Sequence, residues 1–125
     1  SCNIGSLMEI AEKYNLKVIT DSAQSPGAKN LKKYVGTESH VGGYSLNYHK
    51  HLHTGEGGMC CCSDSELAFR MQAIRNHAEN IVEPAGVSDI TNLIGANFRM
   101  TELSAAIGRA QLNRIDEFLH CEASF

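Results

Sequence analysis

Three short apolar runs, each stopping at a polar residue or a turn, restrict this chain's fold more than any other feature. Leu16 to Thr20 carries β-branched residues and stops at Asp21, Val41 to Asn47 contains Gly42, Gly43, Tyr44 and Leu46, and Gly58 to Cys62 follows a glycine-rich segment. Runs of that length read as short buried strands. Around them the period is helical. Leu7, Met8, Ile10, Ala11 and Tyr14 recur on one side from about Ser6 to Tyr14. Ser63 and Glu66 have capping-box spacing ahead of an apolar stripe of Leu67, Met71 and Ile74. Thr101 is placed to cap a long helix lined by Leu103, Ala106, Ile107, Ala110, Ile115 and Leu119. Ser25 to Asn30 is a turn signal, and Ile81 to Asn97 shows no sustained period and reads mostly as connection. Helices alternating with short strands predict an α/β sheet covered by helices, with reactive residues at strand ends.

With 125 residues the chain has room for one small domain and not for two comfortable ones. A formal charge of -3 is too mild to imply a nucleic-acid or anionic-membrane partner. No apolar run approaches a membrane span, and the first residues mix charges of both signs where a signal peptide needs a basic start and an apolar core. The expected location is cytoplasmic. Five cysteines, three of them consecutive at Cys60, Cys61 and Cys62, do not make a secreted disulfide framework and read as reduced thiols. The chain opens on Ser1 rather than Met and stops soon after a helix, so it is expected to be a piece of a larger parent.

The chemistry-bearing side chains gather around the strand ends. Asp21 closes the first apolar run, Gln24 lies three residues on, Ser45 sits in the second, and Lys50 follows in the polar segment Asn47 to Gly58. A lysine beside a buried sheet is a candidate amine nucleophile, although a surface lysine looks the same in sequence. The residues themselves leave other readings open: Asp21 as a turn or helix cap, Ser45 as a satisfied hydroxyl, Gln24 as solvent-facing, Asn97 as part of a turn, and Arg75 and His77 as favourable charges at a helix end. His49, His51 and His53 alternate, so an extended backbone would put them on one face, with Cys60 and Cys62 available from a neighbouring strand. Zinc is the rival chemical reading, but the spacing lacks a CxxC pair or an HExxH helix.

Five ordered blocks carry a resemblance. They are Val18-Ile19-Thr20-Asp21-Ser22-Ala23-Gln24-Ser25-Pro26-Gly27-Ala28, then Gly43-Tyr44-Ser45-Leu46-Asn47-Tyr48-His49-Lys50, Thr54-Gly55-Glu56-Gly57-Gly58, Arg75-Asn76-His77, and Gly95-Ala96-Asn97-Phe98-Arg99-Met100-Thr101-Glu102-Leu103 with Ala105-Ala106-Ile107-Gly108. Together they resemble the DegT/DnrJ/EryC1/StrS family of pyridoxal-phosphate-dependent sugar aminotransferases. Thr20 stands where the family usually has Glu, and Cys60, Cys61 and Cys62 stand where it has β-branched residues, both tolerable in buried positions. Lys50 argues against the similar sugar 3-dehydratases, which replace that lysine with histidine.

The resemblance implies part of a fold-type-I aminotransferase large domain, a mixed sheet flanked by helices. Residues 1–100 would be the partial cofactor-binding domain, 101–119 a long helix leading toward a small domain, and 120–125 a tail. It further implies that Lys50 bonds covalently to pyridoxal 5'-phosphate, that Asp21 pairs with the protonated pyridine nitrogen, that Gln24 lies near the phenolic oxygen, and that Ser45 donates to the phosphate. Asn97 resembles a residue that reaches the phosphate in the neighbouring subunit of a homodimer with shared active sites. His51, His53 and Arg99 are candidates to meet substrate. The expected reaction moves an amino group from glutamate or glutamine to a nucleotide-linked keto-sugar, for lipopolysaccharide, capsule or other polysaccharide biosynthesis or for secondary-metabolite sugars. The alternative is a truncated, non-catalytic α/β fragment or assembly module, and the 125-residue chain by itself is expected to be inactive.

Overall fold

Each apolar run forms a strand, and the strands pair through their glycines. The computed structural model describes residues 2–78 and 93–122, so most of the connection read over Ile81 to Asn97 and the end of the tail lie outside the described residues. The chain divides into two compact units, Ser1–Ser63 with Thr101–Phe125, and Asp64–Met100.

In the first unit, β1 (Ile19–Asp21) runs parallel to β4 (Val41–Ser45), which pairs antiparallel with β5 (Gly58–Cys61). This is a mixed sheet of order β1-β4-β5. Asp21 is level with Gly43, and Gly43 with Cys60. Side chains alternate across a strand, so Asp21, Gly43, Ser45 and Cys60 share one face, while Thr20, Gly42, Tyr44, Met59 and Cys61 share the other. A small antiparallel pair, β2 (Lys29–Asn30) and β3 (Lys33–Tyr34), interrupts the segment after the turn. The sequence does not announce it, because two-residue strands have no period to detect.

The hairpin leads into Val35 and Gly36, which return to the sheet. Gly36 has φ +95°, and a methyl carbon built on Gly42 would overlap the Gly36 carbonyl. Here β4 must lack a side chain so that the returning backbone can lie against it. Gly43 has no such restriction, its nearest prospective neighbour being the Thr20 carbonyl at 3.9 Å. Gly42→Ala should therefore cost about 3 kcal/mol of stability, because a backbone carbonyl cannot swing aside as a side chain would; urea unfolding of the native-length protein measures it.

The helices of this unit are α1 (Ile4–Lys13), α3 (Glu102–Leu112) and α4 (Ile115–Glu122). Asn3 caps α1, its side chain accepting from the Ser6 amide at 3.2 Å, so the helix begins earlier than the periodicity suggests. Thr101 caps α3 as expected, accepting from Ser104 at 3.1 Å. The long helix read from Thr101 to Leu119 is two helices. Asn113 and Arg114 form the break, with the Arg114 amide bonded to the Gln111 carbonyl at 2.9 Å. Leu112, Ile115 and Leu119 from this corner join Tyr44, Leu46 and Leu52 around a cavity of about 260 Å³.

The second unit holds α2 (Ser65–Arg75) and an isolated bridge between Asn76 and Asn97. The helix is capped by Asp64 rather than Ser63, and its carboxylate accepts from the Glu66 and Leu67 amides at 2.9 and 3.1 Å. Ser63 and Asp64 are both good caps, and the residue with the correct offset from the first helical turn takes the role. Asp64→Ala should destabilise by about 1 kcal/mol, visible as a lower thermal midpoint. Among the described residues no helix is long and apolar enough to cross a membrane.

Candidate active site

The carboxyl ends of the parallel pair β1 and β4 place a carboxylate and a hydroxyl on the same face. Asp21 is the last residue of β1, and the following amide, Ser22, still donates to the Gly43 carbonyl at 2.8 Å. The Asp21 side chain is exposed and, among the described residues, accepts a local bond from the Ala23 amide at 3.0 Å. Ser45 ends β4, and its hydroxyl oxygen accepts from the Asn47 amide at 3.2 Å, leaving the hydroxyl hydrogen available to donate.

Lys50 is presented by a loop that is closed at its base. Leu46 donates to the Gly57 carbonyl at 2.8 Å and accepts from the Thr54 amide at 2.9 Å. Inside the loop, Asn47 accepts from the Lys50 amide at 2.9 Å, and its side chain donates to Glu56 at 2.8 Å. The buried residues Leu46, Leu52 and Thr54 anchor this loop to the unit's interior. From α3, Gln111 accepts the His53 amide at 2.9 Å. So braced, the half-buried Lys50 extends its amine to the side-chain oxygen of Gln24 at 2.5 Å, a contact across 26 residues of sequence.

His53 is half-buried, and its Nδ1 is shielded from solvent with no hydrogen-bond partner among the described residues. His51 is half-buried and His49 exposed, with the His49 ring against Tyr48 at a centroid distance of 3.8 Å. The three histidines lie on a looped backbone rather than an extended one, so their alternation does not align them. Among the described residues no group of three or more His, Cys, Asp or Glu side chains is placed to hold a metal ion.

Asn97 and Arg99 belong to the second unit. The Asn97 side chain accepts the Arg99 amide at 3.3 Å, and the Arg99 guanidinium donates to the Asn76 side-chain oxygen at 2.5 Å. The end of α2 is held by the same segment: Ile74 and Arg75 carbonyls accept from the Ala96 and Phe98 amides, both at 3.0 Å. His77 takes the left-handed position after the helix, φ +61°, and donates to the Ala96 carbonyl at 3.1 Å. Arg75 and His77 thus sit at a helix terminus, and His77 occupies the backbone position that a glycine more often fills.

Sequence reasoning passed over Asn47, Glu56 and Gln111, which hold the lysine loop. The first two were visible inside the matched blocks, but only the fold reveals that they face one another. Gln111 carried no signal, being a polar residue on an ordinary helix.

Residues 1–123 match the DegT/DnrJ/EryC1/StrS aminotransferase family. The chain is 36% identical over 118 residues to a GDP-perosamine synthase of Caulobacter vibrioides, covering 94% of this chain and 31% of that protein. It is 39% identical over 119 residues to a dTDP-3-amino-3,6-dideoxy-alpha-D-galactopyranose transaminase of Aneurinibacillus thermoaerophilus, with the same 94% and 31% coverage. Among solved structures, an aminotransferase from Psychrobacter cryohalolentis superposes with a TM-score of 0.82 at 34% identity, over 94% of this chain and 31% of that one. The chain therefore spans about a third of the length of the relatives it matches. A mixed sheet with flanking helices, the ordered sequence blocks and these likenesses agree, and the chain belongs to the DegT/DnrJ/EryC1/StrS aminotransferase family.

Proposed function

We propose that the native-length protein is a pyridoxal-phosphate-dependent aminotransferase that moves an amino group from glutamate or glutamine to a nucleotide-linked keto-sugar. The observation that carries this reading is the Lys50 amine held on Gln24 beside the strand end that bears Asp21. The donor set fits the cofactor: an amine for covalent attachment, a carboxylate for a ring nitrogen, an amide for the phenolic oxygen, and the Ser45 hydroxyl for phosphate. When bound, pyridoxal phosphate supplies an electron-withdrawing ring that stabilises a substrate carbanion.

The chain's own residues divide the remaining work. Lys50 supplies the amine that joins to the cofactor and, once released, moves a proton at its Nζ; a lysine suits both tasks because it combines a primary amine with reach. Asp21 keeps the proton on the pyridine nitrogen, because a fixed carboxylate favours the cationic ring. Gln24 fixes the direction of the Lys50 amine. His51, His53 and Arg99 are assigned to the substrate, and the buried Nδ1 of His53, which has no partner among the described residues, supports its share. Asn97 is assigned to the phosphate of a neighbouring subunit in a homodimer.

The relatives' names support a sugar-nucleotide substrate, since one makes GDP-perosamine and another acts on a dTDP-linked sugar. The test is to incubate the native-length protein with pyridoxal phosphate, glutamate or glutamine, and nucleotide-linked keto-sugars, and follow the amino-sugar by mass spectrometry. With nitrogen-15-labelled donor, a product that has exchanged its keto oxygen for a labelled amine is expected with a sugar nucleotide; transfer only to free keto acids would refute the substrate class.

A further inference from the structure

On the face of the sheet opposite Asp21, four residues from four segments converge on one point. Tyr44 of β4 donates its hydroxyl to the Val35 carbonyl at 2.6 Å, and Cys61 of β5 donates its thiol to the Gly36 carbonyl at 3.6 Å. Ser22, immediately after β1, is 1% exposed, and its hydroxyl has no partner among the described residues. A methyl carbon built on Gly36 would lie 2.5 Å from the Tyr44 hydroxyl and 2.8 Å from Ser22 Oγ. The two hydroxyls therefore flank the position that a Gly36 side chain would take, without bonding directly.

A buried hydroxyl without a partner costs about 1–3 kcal/mol, and buried polar groups that face one another a little beyond contact are commonly joined by an ordered water. Tyr44 uses its hydrogen on Val35 and keeps acceptor capacity, while Ser22 retains a donor. We propose that Ser22 and Tyr44 are positioning residues for Asp21, joined by one buried water into a knot that fixes the end of β1. The proposal rests on the function given above.

The knot acts on Asp21 because the carboxylate has little else to orient it. On its own face Asp21 is exposed and, among the described residues, accepts only from Ala23, two residues along the same chain. Its direction is inherited from the backbone at residues 21–23. That backbone is pinned by the Ser22 amide on the Gly43 carbonyl and, on the buried side, by the Ser22 side chain. Consecutive strand residues point to opposite faces, so slack on the Ser22 side tilts the Asp21 side. Gly36 completes the arrangement, since any side chain there would displace both hydroxyls.

The test is a double-mutant cycle of Ser22→Ala and Tyr44→Phe in the native-length protein, read in two ways. Without cofactor, each single variant should lower the thermal midpoint by about 2 °C, and the double variant should fall no further than the worse single. With cofactor, each should slow the half-reaction with amino donor about five-fold at saturating donor while leaving the donor KM unchanged, the pattern of a lost transition-state interaction. Asp64→Ala, at the cap of α2, serves as a destabilised control that lowers the midpoint without slowing that step. A Ser22→Ala protein as stable and as fast as the parent would overturn the proposal, as would strictly additive midpoints. If Tyr44→Phe fails to fold, Ser22→Ala decides alone by the same two readings. Borohydride labelling separates the two ideas: protein that takes no pyridoxyl label at Lys50 removes the functional reading beneath the proposal, whereas labelled protein with an uncoupled cycle removes the knot alone.

Discussion

Lys50→Ala in the native-length protein should abolish the pyridoxyl label fixed by borohydride and lower turnover by roughly four orders of magnitude. The amine serves covalent attachment and then proton movement, so its removal strikes two steps at once. Its neighbours do not compensate. Gln24, at 2.5 Å, is an amide with no basic nitrogen, and His49, on the same loop, is exposed with its ring against Tyr48. Peptide mapping of the reduced wild-type protein should recover the label on the peptide containing Lys50. A label confined to Lys29, Lys32 or Lys33, with none on the Lys50 peptide, would refute the assignment. Those lysines are exposed and lie on or beside the β2–β3 hairpin, so a minor adventitious label there beside a major one on Lys50 would not. Folding is expected to survive the substitution, because the loop is held by Leu46, Thr54, Asn47 and Glu56 rather than by the lysine side chain.

The strand ends were legible in the sequence because each apolar run stops where the chain changes chemistry. Asp21 falls at the end of β1, where the first run stops, whereas β4 ends at Ser45, short of Asn47, where the second run stops. The Lys50–Gln24 contact was not legible from spacing: a sequence separation of 26 carries no geometric information until β1 and β4 pair in parallel and the intervening chain returns across them. The division of the last helix escaped detection because Asn113 and Arg114 are compatible with a helix. Only apolar residues facing a common cavity from both sides of the corner show why it bends. The His49, His51 and His53 alternation misled for a related reason. Period-two spacing implies one face only on an extended backbone, and residues 47–57 are instead a closed loop. Ser22 and Tyr44 look like ordinary strand residues in sequence; burial and the approach of Gly36 distinguish them.

Asp21→Asn should leave the Lys50 label in place while slowing the donor half-reaction about 100-fold, the scale of losing one preorganised electrostatic contact to a charge that develops in the transition state. Asparagine preserves the size of the side chain and one oxygen to accept the Ala23 amide, so the turn after β1 is retained. What it lacks is the negative charge that keeps a proton on the ring nitrogen, and a neutral ring is a weaker electron sink. Attachment of the cofactor to Lys50 needs little of that sink, whereas removal of a proton from the donor's carbon depends on it. The two steps should therefore separate: near-normal labelling with a slow half-reaction. Stopped-flow measurement of the donor half-reaction, alongside borohydride labelling of the same preparation, distinguishes this from simple loss of cofactor affinity, which would weaken both. Equal half-reaction rates in wild type and Asp21→Asn would exclude the ring-nitrogen role. They would also leave the buried contacts of Ser22 and Tyr44 without an Asp21 function to support.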